Sequence, residues 1–127
     1  MTNIPRILFA VIASASILTS ASFAADPFAL PVSEDGLPGE GALRRYEGYV
    51  KRWPQFRAAW AKRVEQDQGA VVFLGDSITQ GWGAKFRDKF QGMKLANRGI
   101  GGDTTRGMLI RLKEDVLSLN PSAIVLL

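Results

Sequence analysis

Ser77 stands in the stretch LGDSITQGWG, Leu74–Gly83, directly after the apolar run AVVFL. A strand that ends in a turn and a helix start is where an α/β enzyme holds a nucleophile. A serine hydroxyl attacks an ester only when a base removes its proton, and the 127 residues contain no histidine. Two explanations follow: Ser77 caps a helix after a strand, since Gly-Asp-Ser is also ordinary turn chemistry, or it is a nucleophile whose base lies elsewhere. Asp76 is adjacent in sequence, which does not provide triad geometry, so it is expected to be a structural carboxylate bonded to nearby amides.

Other chemistry is excluded by spacing. Gly99, Gly101 and Gly102 resemble part of a dinucleotide loop, but Thr104 occupies the place of its last glycine. Gln80 likewise breaks the phosphate-loop pattern that would start at Gly75, and no G-x-S-x-G elbow is present. Without His or Cys, a metal site would have to use carboxylates alone; no cofactor and no metal are expected. Asp103 is expected to cap a helix or clamp a loop. Trp82 could wall a pocket or pack in the core. Arg98 and Arg106 could meet an anionic substrate, surface arginines being the commoner case.

The elements that must position Ser77 follow an α/β alternation. AVVFL (Ala70–Leu74), KLAN (Lys94–Asn97) and AIVLL (Ala123–Leu127) read as strands, the first and last as runs covered on both faces. Between them lie a helical stretch over Ala84–Phe90 and a helix that Asp103 or Thr104 caps. The latter carries Met108, Leu112, Val116 and Leu119 on one face and stops at Asn120 and Pro121. Strand, helix, strand, helix, strand predicts a parallel sheet with helices on both faces. AIVLL has no polar alternation and is expected in the middle of a sheet, where an apolar edge would not be left bare. On this ground the chain reads as the amino-terminal part of a longer protein.

Upstream, Leu43, Tyr46, Val50 and Trp53 fall at helical spacing, and Phe56, Trp60 and Val64 repeat the pattern after Pro54. Two short helices with buried aromatic stripes are predicted. Basic and aromatic residues interleave here, but a net charge of +4 and an export signal argue against nucleic acid as a partner. Residues 1–24 read as a secretory signal peptide: Arg6, an apolar run rich in small residues, and Ser22 and Ala24 before the cut. The run carries too many serines and threonines for a stable membrane anchor, and no cysteine is available for lipid or disulfide. The mature chain is expected to be exported, with 25–41, rich in Pro and Gly, as a flexible lead-in and 42–127 as the folded part.

GDSIT (Gly75–Thr79) after an apolar strand, followed by NRGIGGDTTRGMLIRL (Asn97–Leu112), resembles the first two sequence blocks of the SGNH (GDSL) hydrolases. The second block is especially similar to the platelet-activating-factor acetylhydrolase catalytic subunits and their bacterial relatives. The resemblance covers Ala70–Leu127 and implies a flavodoxin-like α/β fold, incomplete at the carboxyl end. It implies Ser77 as nucleophile, with its backbone amide helping to hold the oxyanion, and Gly102 as the next oxyanion donor. The family's third-block asparagine follows a strand like AIVLL, and its Asp-x-x-His block supplies the triad base; neither lies within residues 1–127.

Elementary chemistry agrees with those roles. A tetrahedral intermediate needs donors where its oxygen becomes negative, and a glycine without Cβ lets its amide approach closely at a helix start. The expected activity is hydrolysis of a small acyl ester (acetylated glycan, phospholipid or simple ester) through an acyl-serine, by a parent whose first 127 residues alone would be inactive. The alternative is a non-catalytic module that binds an acylated glycan or lipid.

Overall fold

A computed structural model describes residues 26–127, so the expected signal segment lies outside the described residues. Three parallel strands form one sheet: β1 (Val71–Gly75), β2 (Leu95–Gly99) and β3 (Ala123–Leu126), in the order β2-β1-β3. Val71 pairs with Leu95 on one side and with Ala123 on the other, and the register runs from there to Gly75–Gly99 and Leu74–Leu126. Each strand begins within one residue of its sequence reading. β2 runs two residues further than KLAN, to include Arg98 and Gly99.

Side chains alternate across the sheet. Val72, Leu74 and Ala96 face a cluster completed by Met108, Val116 and Leu119, which come from α3 (Thr105–Asp115) and the turn after it. The Thr104 hydroxyl opens α3 by accepting from the Gly107 amide at 3.2 Å. Asn120 ends the following 3-10 turn in the left-handed conformation (φ 45°), where an asparagine is tolerated. On the opposite face Phe73 meets the rings of Trp82 and Phe90 at 5.6 and 6.0 Å. Trp82 therefore packs against the sheet. The stretch around Ala84 forms a 3-10 helix, Ala84–Lys89.

The two helices expected around Pro54 are one, α1 (Glu47–Ala61), with Pro54 inside it. Proline withholds the amide that would bond the Val50 carbonyl and costs about 3 kcal/mol in a helix interior. Val50 lies on the exposed side of the helix. A continuous buried stripe, Tyr49, Trp53, Arg57 and Trp60, runs through the proline and holds both halves on one partner surface. Leu43 and Tyr46 precede the helix; Leu43 is buried, but Tyr46 and Val50 are exposed, so the expected face is rotated.

Between α1, α3 and the sheet lies a buried charged layer. Arg57 pairs with Asp115 at 2.9 Å, Arg98 with Asp67 at 2.8 Å and Arg111 with Asp103 at 2.8 Å. Trp60 takes the guanidinium groups of Arg98 and Arg111 over its ring, at 5.1 and 5.4 Å. Burial lowers the pKa of Arg98 against the pull of Asp67, and raises that of Asp115 against the pull of Arg57.

Arg98 is thus buried and paired with Asp67, not a surface arginine. Arg106 donates to Glu34 at 2.5 Å. With Leu30 buried in the α1 cluster, that pair holds the lead-in segment against the domain. β3, expected inside a sheet, stands at its edge among the described residues: there it pairs with β1 alone, and Ile124 and Leu126 are exposed. Among the described residues no helix is long and apolar enough to cross a membrane.

Candidate functional site

Ser77 is the first residue of α2 (Ser77–Gly81), a single helical turn that starts two residues beyond the carboxyl end of β1's Gly75. Asp76 caps that turn, accepting the Ile78 amide at 2.9 Å on Oδ1, as a structural carboxylate should. Ser77 is exposed, and among the described residues its hydroxyl has no hydrogen-bond partner.

Three glycines let α2 lie this close to the strand ends. A Cβ on Gly75 would strike the Thr79 hydroxyl, and one on Gly99 would strike the Gln80 amide nitrogen and approach the Thr79 carbonyl carbon to 2.8 Å. One on Gly101 would come within 2.9 Å of Gln80 Oε1 and 3.7 Å of Ser77 Cβ. The turn after β2 therefore lies against Ser77 and the Gln80 side chain.

Two polar side chains fix this turn. Asn97 donates through Nδ2 to the Thr79 carbonyl at 2.6 Å and accepts the Gly99 amide at 2.9 Å. Gln80 Oε1 accepts the Gly101 amide at 2.5 Å. Sequence reasoning missed both as site residues, because each acts across some twenty positions of chain.

Gly102 has φ +86°, a left-handed backbone that favours glycine. The Tyr46 hydroxyl fills the space that a Cβ there would take. Among the described residues the Gly102 amide makes no hydrogen bond, while the amides on either side are bonded, Gly101 to Gln80 and Asp103 to the Ile100 carbonyl at 2.9 Å. The two residues singled out in the sequence, Ser77 and Gly102, are thus brought to adjoining turns at the carboxyl ends of β1 and β2.

Behind the glycine turn Asp103 is a clamp, with Thr104 as the helix cap. Its Oδ1 accepts the Tyr49 hydroxyl at 2.7 Å and the Thr104 amide at 2.9 Å. Its Oδ2 accepts Arg111 Nε at 2.8 Å. Arg111 also donates through Nη2 to the Arg98 carbonyl at 2.8 Å and the Gly75 carbonyl at 3.4 Å. One buried guanidinium therefore ties the ends of β1 and β2 to the residue after Gly102. Burial, and then the Asp103 carboxylate, push the Tyr49 phenol above its ordinary pKa.

A groove of about 420 Å³ lies beside the site and does not contain Ser77. It follows the outer edge of β2 between Phe56, Trp60 and Arg63 on one side and Arg87 on the other, and ends at Gln80. Among the described residues no group of three or more acidic side chains is placed to hold a metal ion. No protein-family model and no curated protein matches the chain.

Proposed function

We propose that the chain carries the nucleophile half of an SGNH-type (GDSL) serine ester hydrolase, with Ser77 as nucleophile and the Gly102 amide, with that of Ser77, as oxyanion donors. The observation that carries this is the exposed Ser77 hydroxyl beside a glycine turn, both that hydroxyl and the Gly102 amide being unpartnered among the described residues. An amide with no bond in the resting site is free to bond an oxygen that becomes negative. The strand order β2-β1-β3, all parallel, is compatible with a flavodoxin-like sheet, in which ligands bind at the carboxyl ends of the strands.

In this mechanism the Ser77 oxygen attacks the ester carbonyl while a base takes its proton. The carbonyl oxygen becomes an oxyanion between the two amides, and its collapse expels the alcohol and leaves an acyl-serine that water hydrolyses. The substrate class is a small acyl ester, acetyl above all. No histidine is available to serve as base. The 127-residue chain is therefore expected to hydrolyse p-nitrophenyl acetate no faster than buffer, and Ser77→Ala is expected to change nothing. Turnover above buffer that disappears in Ser77→Ala would overturn the requirement for an added base.

The same lack of histidine favours one other reading, a module that binds an acylated ligand without cleaving it. Saturable binding of an uncleaved acyl glycan, insensitive to Ser77→Ala, would favour it.

A further inference from the structure

Arg45, Arg57, Arg63, Arg98, Arg106 and Arg111 each pair with a carboxylate. Arg44, Arg52 and Arg87 have no such partner among the described residues, and of these three Arg52, on α1, is the one that is not exposed. Its Nη2 donates to the Tyr46 hydroxyl at 3.2 Å and to the Gly101 carbonyl at 3.4 Å. The guanidinium carbon lies 6.0 Å from the centre of the Tyr46 ring, and Nη1 has no hydrogen-bond partner among the described residues. The Tyr46 hydroxyl, which accepts from Arg52, still has its own proton to donate, and it abuts Gly102.

A half-buried cation held against a tyrosine hydroxyl and one backbone carbonyl, with donors left over, favours an anion that can accept from it. The acids nearest the turn do not supply one. Asp103 is bonded to Arg111 and Tyr49, and Asp76 to the Ile78 amide.

We propose that Arg52 and the Tyr46 hydroxyl form a subsite for an anionic oxygen group, a carboxylate or a phosphate, carried by the ester close to the bond that Ser77 attacks. The placement beside the scissile bond rests on the proposed role of Ser77 and Gly102; the anion site itself rests on Arg52 and Tyr46 alone. The net charge of +4 assists the approach of such a substrate over a neutral one.

The test is a titration of the ¹⁵N-labelled 127-residue chain with sodium phosphate and, in parallel, sodium acetate, read at the Gly101 and Gly102 amides. Saturable shifts are expected at both, and Arg52→Gln is expected to weaken binding about tenfold or more, since charge-assisted hydrogen bonds are the strong ones. Arg52→Lys, which keeps the charge, should weaken it less. Tighter phosphate than acetate binding would assign a phosphate-bearing ester, and the reverse a carboxylate-bearing one. No saturable shift in the wild type, or equal affinity in wild type and Arg52→Gln, would overturn the proposal. If Arg52→Gln loses its dispersed spectrum, Tyr46→Phe serves instead: weaker phosphate binding supports the subsite and unchanged binding overturns it. Anion binding that needs Arg52 in a protein whose Ser77 proves inert leaves the subsite standing and removes only the catalytic role; an active Ser77 with no Arg52-dependent anion binding does the opposite.

Discussion

At the scale of single residues, the candidate site is built largely from what glycine omits. Gly102 and Gly36 both have positive φ, at +86° and +71°, but a Cβ on Gly36 would meet nothing within 4 Å, whereas one on Gly102 would meet the Tyr46 hydroxyl. Alanine at either position carries the left-handed backbone penalty of about 1 kcal/mol. Gly102→Ala must in addition move Tyr46 away from the turn. Urea unfolding should therefore show a larger loss for Gly102→Ala than for Gly36→Ala; equal losses would mean that the hydroxyl is not seated there. Ser77 and the glycines were legible because their chemistry is local: a polar turn after an apolar run, and a Gly-rich loop before a helix. Tyr46, Arg52, Gln80 and Asn97 were not, because their contacts with the glycine turns or with α2 join residues 18 to 56 positions apart, and no spacing rule records such contacts.

At the scale of elements, the continuous apolar runs AVVFL and AIVLL announced strands, since five successive apolar residues suit a parallel ladder better than any amphipathic helix. The face of α1 was misread for a physical reason. Arg57 lies on its buried stripe, and a charged residue there breaks the apolar periodicity unless its partner, Asp115, is known. The Tyr49–Asp103–Arg111 contact joins α1 to the glycine turn and α3 and gives a pH signature. The Tyr49 pKa lies above its ordinary value of 10.0 when folded, chiefly through burial. Its contribution to stability is thus fully present below about pH 10, the ordinary phenol pKa. Above that pH the unfolded chain releases the proton while the folded chain keeps it, and stability falls by about 1.4 kcal/mol per pH unit. Urea unfolding between pH 9 and 11, buffered in steps, should show this extra slope in the wild type and not in Tyr49→Phe. Identical slopes would place Tyr49 in contact with solvent.

At the scale of the whole molecule, the sequence indicated a parallel α/β arrangement, and among the described residues three parallel strands with flanking helices are present. The place of β3 was not legible, because an all-apolar strand does not state which neighbours cover it. Beside it a cavity of about 170 Å³ is lined by Thr105 and by apolar side chains that include Leu74, Met108, Leu112, Ile124 and Leu126. The Leu127 amide bonds the Leu74 carbonyl at 3.1 Å, and the Leu127 carbonyl lies 3.1 Å from where a Gly75 Cβ would stand. That end of β3 therefore lies at the same carboxyl end of the sheet as Ser77. The proposed mechanism has Ser77 cleave esters with the help of a histidine base not found among residues 1–127. Its most direct test is p-nitrophenyl acetate hydrolysis by the product of the whole reading frame that encodes Met1–Leu127, alongside the same product with Ser77→Ala. An acyl-serine mechanism predicts a product that contains histidine and a loss of turnover of about 10³-fold or more in Ser77→Ala; a histidine-free product, or turnover that survives the substitution, would contradict it.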